Sequence, residues 1–126
     1  MKVLTIKQPW ASLIIDGYKE YEFRSWKTKV RGEVLIHASK SLEKDAMKRF
    51  KHLDLEYPTG KILGKVTITD CIKVTKEFED NLITQNELVY GASRGRDGYA
   101  FKLDQVEKWE TPKDAKGSLG FWNYDE

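Results

Sequence analysis

A chain of 126 residues is long enough to bury a core and fits one domain, residues 1–126. Its 22 basic and 20 acidic residues leave a net charge of +2, which excludes a strongly basic nucleic-acid coat; any anion site must come from local arrangement. Apolar residues make up 40% and charged residues 33%, which excludes a disordered composition, and the longest uncharged apolar run, ASLII, is far too short to cross a bilayer.

The opening MKVLTIKQPW has no apolar stretch ending at a small-residue cleavage site, so no secretion signal is expected. KVLTI reads as a short strand, with Val3 and Thr5 on one face and Leu4 and Ile6 on the other. QPWASLIIDG reads as a short helix: Pro9 suits its first turn, Trp10, Leu13 and Ile14 share a face, and Gly17 suits a left-handed cap. GYKEYEFRSW, residues 17–26, then alternates as a strand, with Tyr21 and Phe23 opposite Glu20, Glu22, Arg24 and Trp26.

A turn at Gly32 leads into a strand from Glu33 to Ala38, apolar enough to be central. Leu42, Ala46, Met47, Phe50 and Leu53 recur at helical spacing over residues 42–53, with Ser41 as the expected N-cap. YPTG is a turn, and residues 61–75 form a long β-branched run expected to bend at Gly64 or near Asp70. Residues 78–90 read as one irregular helix and GASRGRDG, residues 91–98, as a loop. YAFKLDQVEKW is a strand with Tyr99, Phe101 and Leu103 inward, and FWNY closes the pattern as a last strand. No repeat or linker interrupts it. The expectation is α+β, a small and mostly antiparallel barrel with two or three helices packed around it.

Chemistry is sparse. One cysteine and two histidines offer no metal-ligand spacing, so no metal and no cofactor are expected. His52 reads as a surface residue and His37, in an apolar strand, as a satisfied structural one. Cys71 excludes an internal disulfide, reads as a buried thiol and fits a reducing cytoplasm. The Gly- and Arg-rich loop lacks the Walker lysine pattern, though its arginines suit phosphate contact or simple solvation. What remains is the 17–26 stretch. Glu22 and Arg24 lie on one strand face roughly 7 Å apart, within reach of each other. Lys19 falls on the opposite face unless the turn after Gly17 swings it round. Such alternation equally describes a solvated strand.

These residues carry a resemblance. QPWASLIIDGYKEYEFRSWKTKVRGEVLIHASK resembles the ASCH family, within the PUA-like superfamily. The family motif G-x-K-x-x-E-x-R stands intact as Gly17, Lys19, Glu22 and Arg24, flanked by QPW, RG and IHASK, with a weaker echo in KGSLGFW. The resemblance implies a small PUA-like barrel and a cleft beside it that binds RNA, single-stranded nucleic acid or a nucleotide-like molecule. Lys19 and Arg24 then face phosphate or base edges, and Glu22 orients Arg24 or accepts from an exocyclic amine. Trp10 or Trp26 offers a stacking plane, with core packing as the alternative for Trp10. Ser39, Lys40 and Lys65 are further candidates for the cleft wall.

Some small proteins resembling this one are amidohydrolases acting on acetylated cytidine, with a motif lysine, a threonine three residues later and a glutamate from a later strand. Lys19 matches the lysine, but Glu22 stands in place of the threonine and Lys65 in place of the glutamate, which removes the hydroxyl nucleophile. Were the chain an enzyme, Lys19 and Glu22 would be the candidate acid–base pair for cleavage of RNA through its 2′-hydroxyl. A protein-interaction module remains a third reading, without a plain apolar patch to support it.

Overall fold

The computed structural model describes residues 1–91 and 98–125; residues 92–97, the centre of the Gly- and Arg-rich loop, lie outside the described residues. In chain order the first elements are β1 (Lys2–Gln8), α1 (Trp10–Ile15), β2 (Tyr21–Arg24) and β3 (Gly32–Leu42). After them come α2 (Lys44–Arg49), a 3-10 turn (Lys51–Leu53), β4 (Lys61–Lys73), α3 (Lys76–Gln85) and α4 (Glu87–Tyr90). The chain finishes with β5 (Tyr99–Asp114) and β6 (Phe121–Asn123).

One six-stranded sheet runs in the order β2-β5-β4-β3-β1-β6. Among the described residues only β1 and β3 pair in parallel, with α1 and β2 intervening between them as a crossover. The other four pairings are antiparallel. A bend is expected at Gly64 or near Asp70, and register shifts in β4 fall at both places: between Ile62 and Gly64, between Lys65 and Thr67, and between Ile68 and Asp70. At Gly64 the two chains touch: a Cβ there would stand 2.2 Å from the Glu107 carbonyl oxygen. The result is a roughly barrel-like α+β fold whose sheet is not closed by backbone pairing among the described residues.

Alternation along the strands sorts their side chains. Leu4, Ile6, Val34, Ile36, Val66, Ile68, Phe101 and Leu103 form the main core with α1, Phe50 and Tyr90. Val3, Leu35 and Ile62, on the opposite pleat, form a smaller cluster under Trp109, Trp122 and Tyr124. All six residues of α1 are buried, including Ser12, whose N–H and hydroxyl are both engaged by the Gln8 side-chain amide at 2.9 and 2.7 Å. That amide also donates to the Pro58 carbonyl at 2.8 Å.

Three expectations need correction. The helix proposed for residues 42–53 is only α2 and a 3-10 turn, because β3 continues to Leu42, which pairs with Gln8 of β1. Ser41 is therefore a strand residue, and Glu43 precedes the helix without a side-chain cap. Residues 78–90 are two helices rather than one. Asn86 ends α3, and its side chain accepts from Val89 N to start α4, so the described residues hold four α-helices. Finally, β5 runs five residues past Trp109, to Asp114. No helix among the described residues is long and apolar enough to cross a membrane.

Candidate functional site

Gly17 decides where the site begins. Its φ of +87° is open to glycine, and it turns the chain so that the N–H groups of Tyr18 and Lys19 both reach the Leu13 carbonyl, at 2.8 and 3.0 Å. Lys19 thus precedes the extended part of the chain and escapes the alternation of β2. Its Nζ reaches Glu22 Oε1 at 3.0 Å. The second Glu22 oxygen accepts from Arg24 Nε at 3.1 Å and Nη2 at 3.0 Å, and Nη2 also donates to the Thr5 carbonyl of β1 at 2.7 Å. Tyr21 and Phe23 anchor the strand from its other side, edge-on to Tyr90, with Tyr21 also on Phe78.

The trio is buried. Side-chain exposure is 2% for Lys19, 9% for Glu22 and 21% for Arg24. Burial alone would raise the Glu22 pKa, but the Lys19 ammonium and Arg24 guanidinium, with their hydrogen bonds, outweigh it and hold the carboxyl below its ordinary value. The Lys19 ammonium also lies 5.2 Å from the ring centres of Trp10 and Phe23. One carboxylate against two cations leaves a net positive charge, and Lys19 and Arg24 Nη1 keep N–H donors with no hydrogen-bond partner among the described residues.

These groups form the floor of a cleft of about 460 Å³. Thr5 and Lys7 of β1 line one side, Ser39 and Ser41 of β3 another, and Ser118, Leu119 and Gly120 its rim. Trp10 lines it too, with its indole N–H donated to Glu43 and its ring edge-on to Phe50 at 5.5 Å.

Residues 4–114 match the family model of the ASCH domain. The chain belongs to the ASCH domain family. This is a PUA-like family associated with RNA binding. It is 37% identical over 91 residues to Activating signal cointegrator 1 of Homo sapiens, covering 61% of this chain and 15% of that protein. The Mus musculus counterpart gives 37% over 89 residues, with the same coverage. The chain therefore corresponds to about 15% of the length of these curated relatives. Among solved structures, ASCH from Zymomonas mobilis superposes with a TM-score of 0.59 at 15% identity, covering 90% of this chain and 72% of that one. A single-site mutant of that protein gives 0.57 at 16% identity, covering 90% and 74%. At such identity the likeness concerns the fold.

The ASCH motif residues converge: Lys19, Glu22 and Arg24 meet in one cleft, and Gly17 sets the turn that brings Lys19 there. Ser39 joins them across the cleft, its hydroxyl donating to the Ser41 carbonyl at 3.1 Å. Lys40 points to a neighbouring hollow, its stem against Gly60. Trp10 is in the wall but mostly packed, 8% exposed. Trp26 does not line the cleft; it packs edge-on against Phe101 and Phe121, with the Arg24 guanidinium 5.9 Å from its ring centre. Lys65 stands apart. It pairs with Glu33 at 2.8 Å and Glu107 at 3.6 Å beside a different hollow, near Trp109 and Tyr124. In register it faces Leu35, four residues before Ser39 along β3, or about 13 Å away.

Lys7, Ser41, Glu43 and the 118–120 segment were not singled out by sequence. The KGSLGFW echo was the one signal for the last of these. His37 is a satisfied structural histidine: Nε2 donates to the Ala115 carbonyl at 2.7 Å, leaving Nδ1 to accept from the Thr5 hydroxyl at 3.2 Å. His52 is exposed, and Cys71 is a half-buried free thiol rather than a fully buried one. Among the described residues no cluster could hold a metal ion.

Proposed function

We propose that this chain is an RNA-binding module whose cleft takes a nucleotide of a single strand on Lys19, Glu22 and Arg24. The observation that carries this reading is a largely buried, net-positive trio with unused donors at the floor of an open cleft. Nucleotides offer what those donors need, carbonyl oxygens on the base and anionic oxygens on phosphate. Glu22 fixes both cations, so that little is lost in ordering them when a ligand arrives. Hydrolysis fits less well, since Lys19 is bonded to a carboxylate rather than to a hydroxyl it could activate. A reducing, cytoplasmic setting agrees with the free thiol of Cys71.

The test is binding of a random-sequence single-stranded RNA hexamer and of the four nucleoside monophosphates to wild type and to Lys19→Met. The variant leaves Glu22 paired with Arg24, so folding is retained and checked by circular dichroism. We expect at least tenfold weaker binding, corresponding to about 1.4 kcal/mol. Equal binding by both proteins, or no binding of any of these ligands by wild type, overturns the reading.

A further inference from the structure

The cleft does not end at its own rim. Thr5, Ser39, Ser118 and Leu119 also line a second, larger hollow of about 970 Å³, so the two adjoin as neighbouring lobes that share one wall. The second lobe is floored by the strap between β5 and β6, and that floor is built rather than incidental. Ala115 N donates to the Gly60 carbonyl at 3.1 Å, and the Ala115 carbonyl accepts from buried His37 at 2.7 Å. Gly117 lies so close to the His37 ring that a Cβ would stand 2.5 Å from it. Leu119 belongs to both lobes and is 96% exposed, an apolar ridge between them.

Charge along this groove is net positive among the described residues. Glu22 is paired with Lys19 and Arg24 and Asp114 with Lys61, while Glu43, held by the neutral Trp10 indole, keeps its negative charge beside α2. Lys7 in the first lobe and Lys40 and Lys116 in the second are exposed, without an ion-pair partner among the described residues. Free cations spaced along a groove wider than one small ligand suit a polyanion, and a single exposed leucine at the waist suits insertion between neighbouring bases.

We propose that the groove takes at least two consecutive nucleotides of single-stranded RNA. One sits on the Lys19–Glu22–Arg24 floor, and the next lies over the strap with its phosphate held by Lys40 and Lys116. This rests on the RNA-binding reading and adds a second nucleotide position over the strap. Lys40 and Lys116 neutralise backbone charge, and Leu119 separates the two bases.

The experiment compares the affinity of the four nucleoside monophosphates with that of a random-sequence single-stranded RNA hexamer, across a salt series. It uses wild type, Lys40→Ala/Lys116→Ala and Leu119→Ala, all surface changes. Wild type should bind the hexamer at least tenfold more tightly than the best mononucleotide. The double lysine variant should lose that advantage, with its slope of log affinity against log salt shallower by about 0.7, the value for one phosphate contact. Leu119→Ala should weaken the hexamer more than it weakens any mononucleotide, and mononucleotide affinity should hold in the double lysine variant, whose changes lie outside the first cleft. A hexamer bound no more tightly than a mononucleotide, or a salt slope unchanged in the double variant, overturns the two-lobe groove while leaving the nucleotide cleft standing. Failure of wild type to bind either ligand overturns both.

Discussion

Glu22 is an ionised carboxylate removed from water and compensated twice, by Lys19 and by Arg24. Breaking such an arrangement from the anionic side leaves two cations without a counter-charge, one of them almost wholly buried. Glu22→Gln keeps the shape, so the expected loss of about 3–5 kcal/mol in urea unfolding is electrostatic. The pH dependence follows from the same geometry. The folded pKa lies below the ordinary value of 4.5, so the unfolded chain binds the proton more readily. Stability from Glu22 is therefore complete above about 4.5 and is lost as pH falls through the folded pKa. Wild type should lose stability on acidification below that point by up to about 1.4 kcal/mol per pH unit more than Glu22→Gln does. Asp104 and Asp114, whose carboxyls are also lowered, mainly by Lys102 and Lys61, are common to both proteins and cancel in the difference. Parallel acid profiles would show that Glu22 is not the linked group. The pair Glu22 and Arg24 was legible in the sequence because strand alternation is a local rule. Lys19 was legible only through the family motif and the chance of a turn after Gly17, since its position depends on a left-handed turn there and on two hydrogen bonds back to Leu13, which no periodicity encodes.

At the level of elements, the sheet bends where its side chains vanish. Gly64 lets β4 and β5 come together so closely that a methyl group has no room beside the Glu107 carbonyl, and the register slips on both sides of it. Gly64→Ala must push apart two backbones rather than displace a flexible side chain. We expect a loss of about 1–3 kcal/mol or more, read as a lower urea midpoint. Unchanged stability would mean that the bend does not depend on close approach. Irregularity at Gly64 or near Asp70 was visible in advance because a long β-branched run holding one glycine and one aspartate has few other places to turn, and the register shifts fall at both. The extents of β3 and α2 were not. Leu42, Ala46 and Phe50 keep helical spacing, but pairing of Leu42 with Gln8 claims the start of that segment for the sheet. A long-range partner outweighed a local period. Lys65 failed similarly: its place in the sequence matched a site residue of relatives, while strand register sets it beside Glu33 and Glu107, away from the cleft.

For the molecule as a whole, the decisive feature is that its sheet has two edges. Among the described residues β2 pairs only with β5, and β6, three residues long, covers β1 no further than Leu4. The stretch of β1 from Thr5 onward and the strand β2 therefore face each other across a seam spanned by side chains. Arg24 is the clasp, since one guanidinium binds Glu22 on its own strand and the Thr5 carbonyl across the gap. Trp26 packs between Phe101 and Phe121 on the same seam. A lysine keeps the charge but cannot present several donors in a fixed plane, so Arg24→Lys should retain the pairing with Glu22 or the bridge to Thr5, not both. Loss of a charge-assisted hydrogen bond should lower stability by about 1.5–3 kcal/mol. Its sharper signature is spatial. Amide exchange should quicken in β2 and in Thr5–Gln8 of β1, while the central strands β3 and β4 keep their protection. Bound RNA should slow exchange at those same seam positions, because the cleft walls it touches are the two sides of the seam. Uniform acceleration across the sheet in Arg24→Lys would show that Arg24 supports the fold generally and does not clasp this gap.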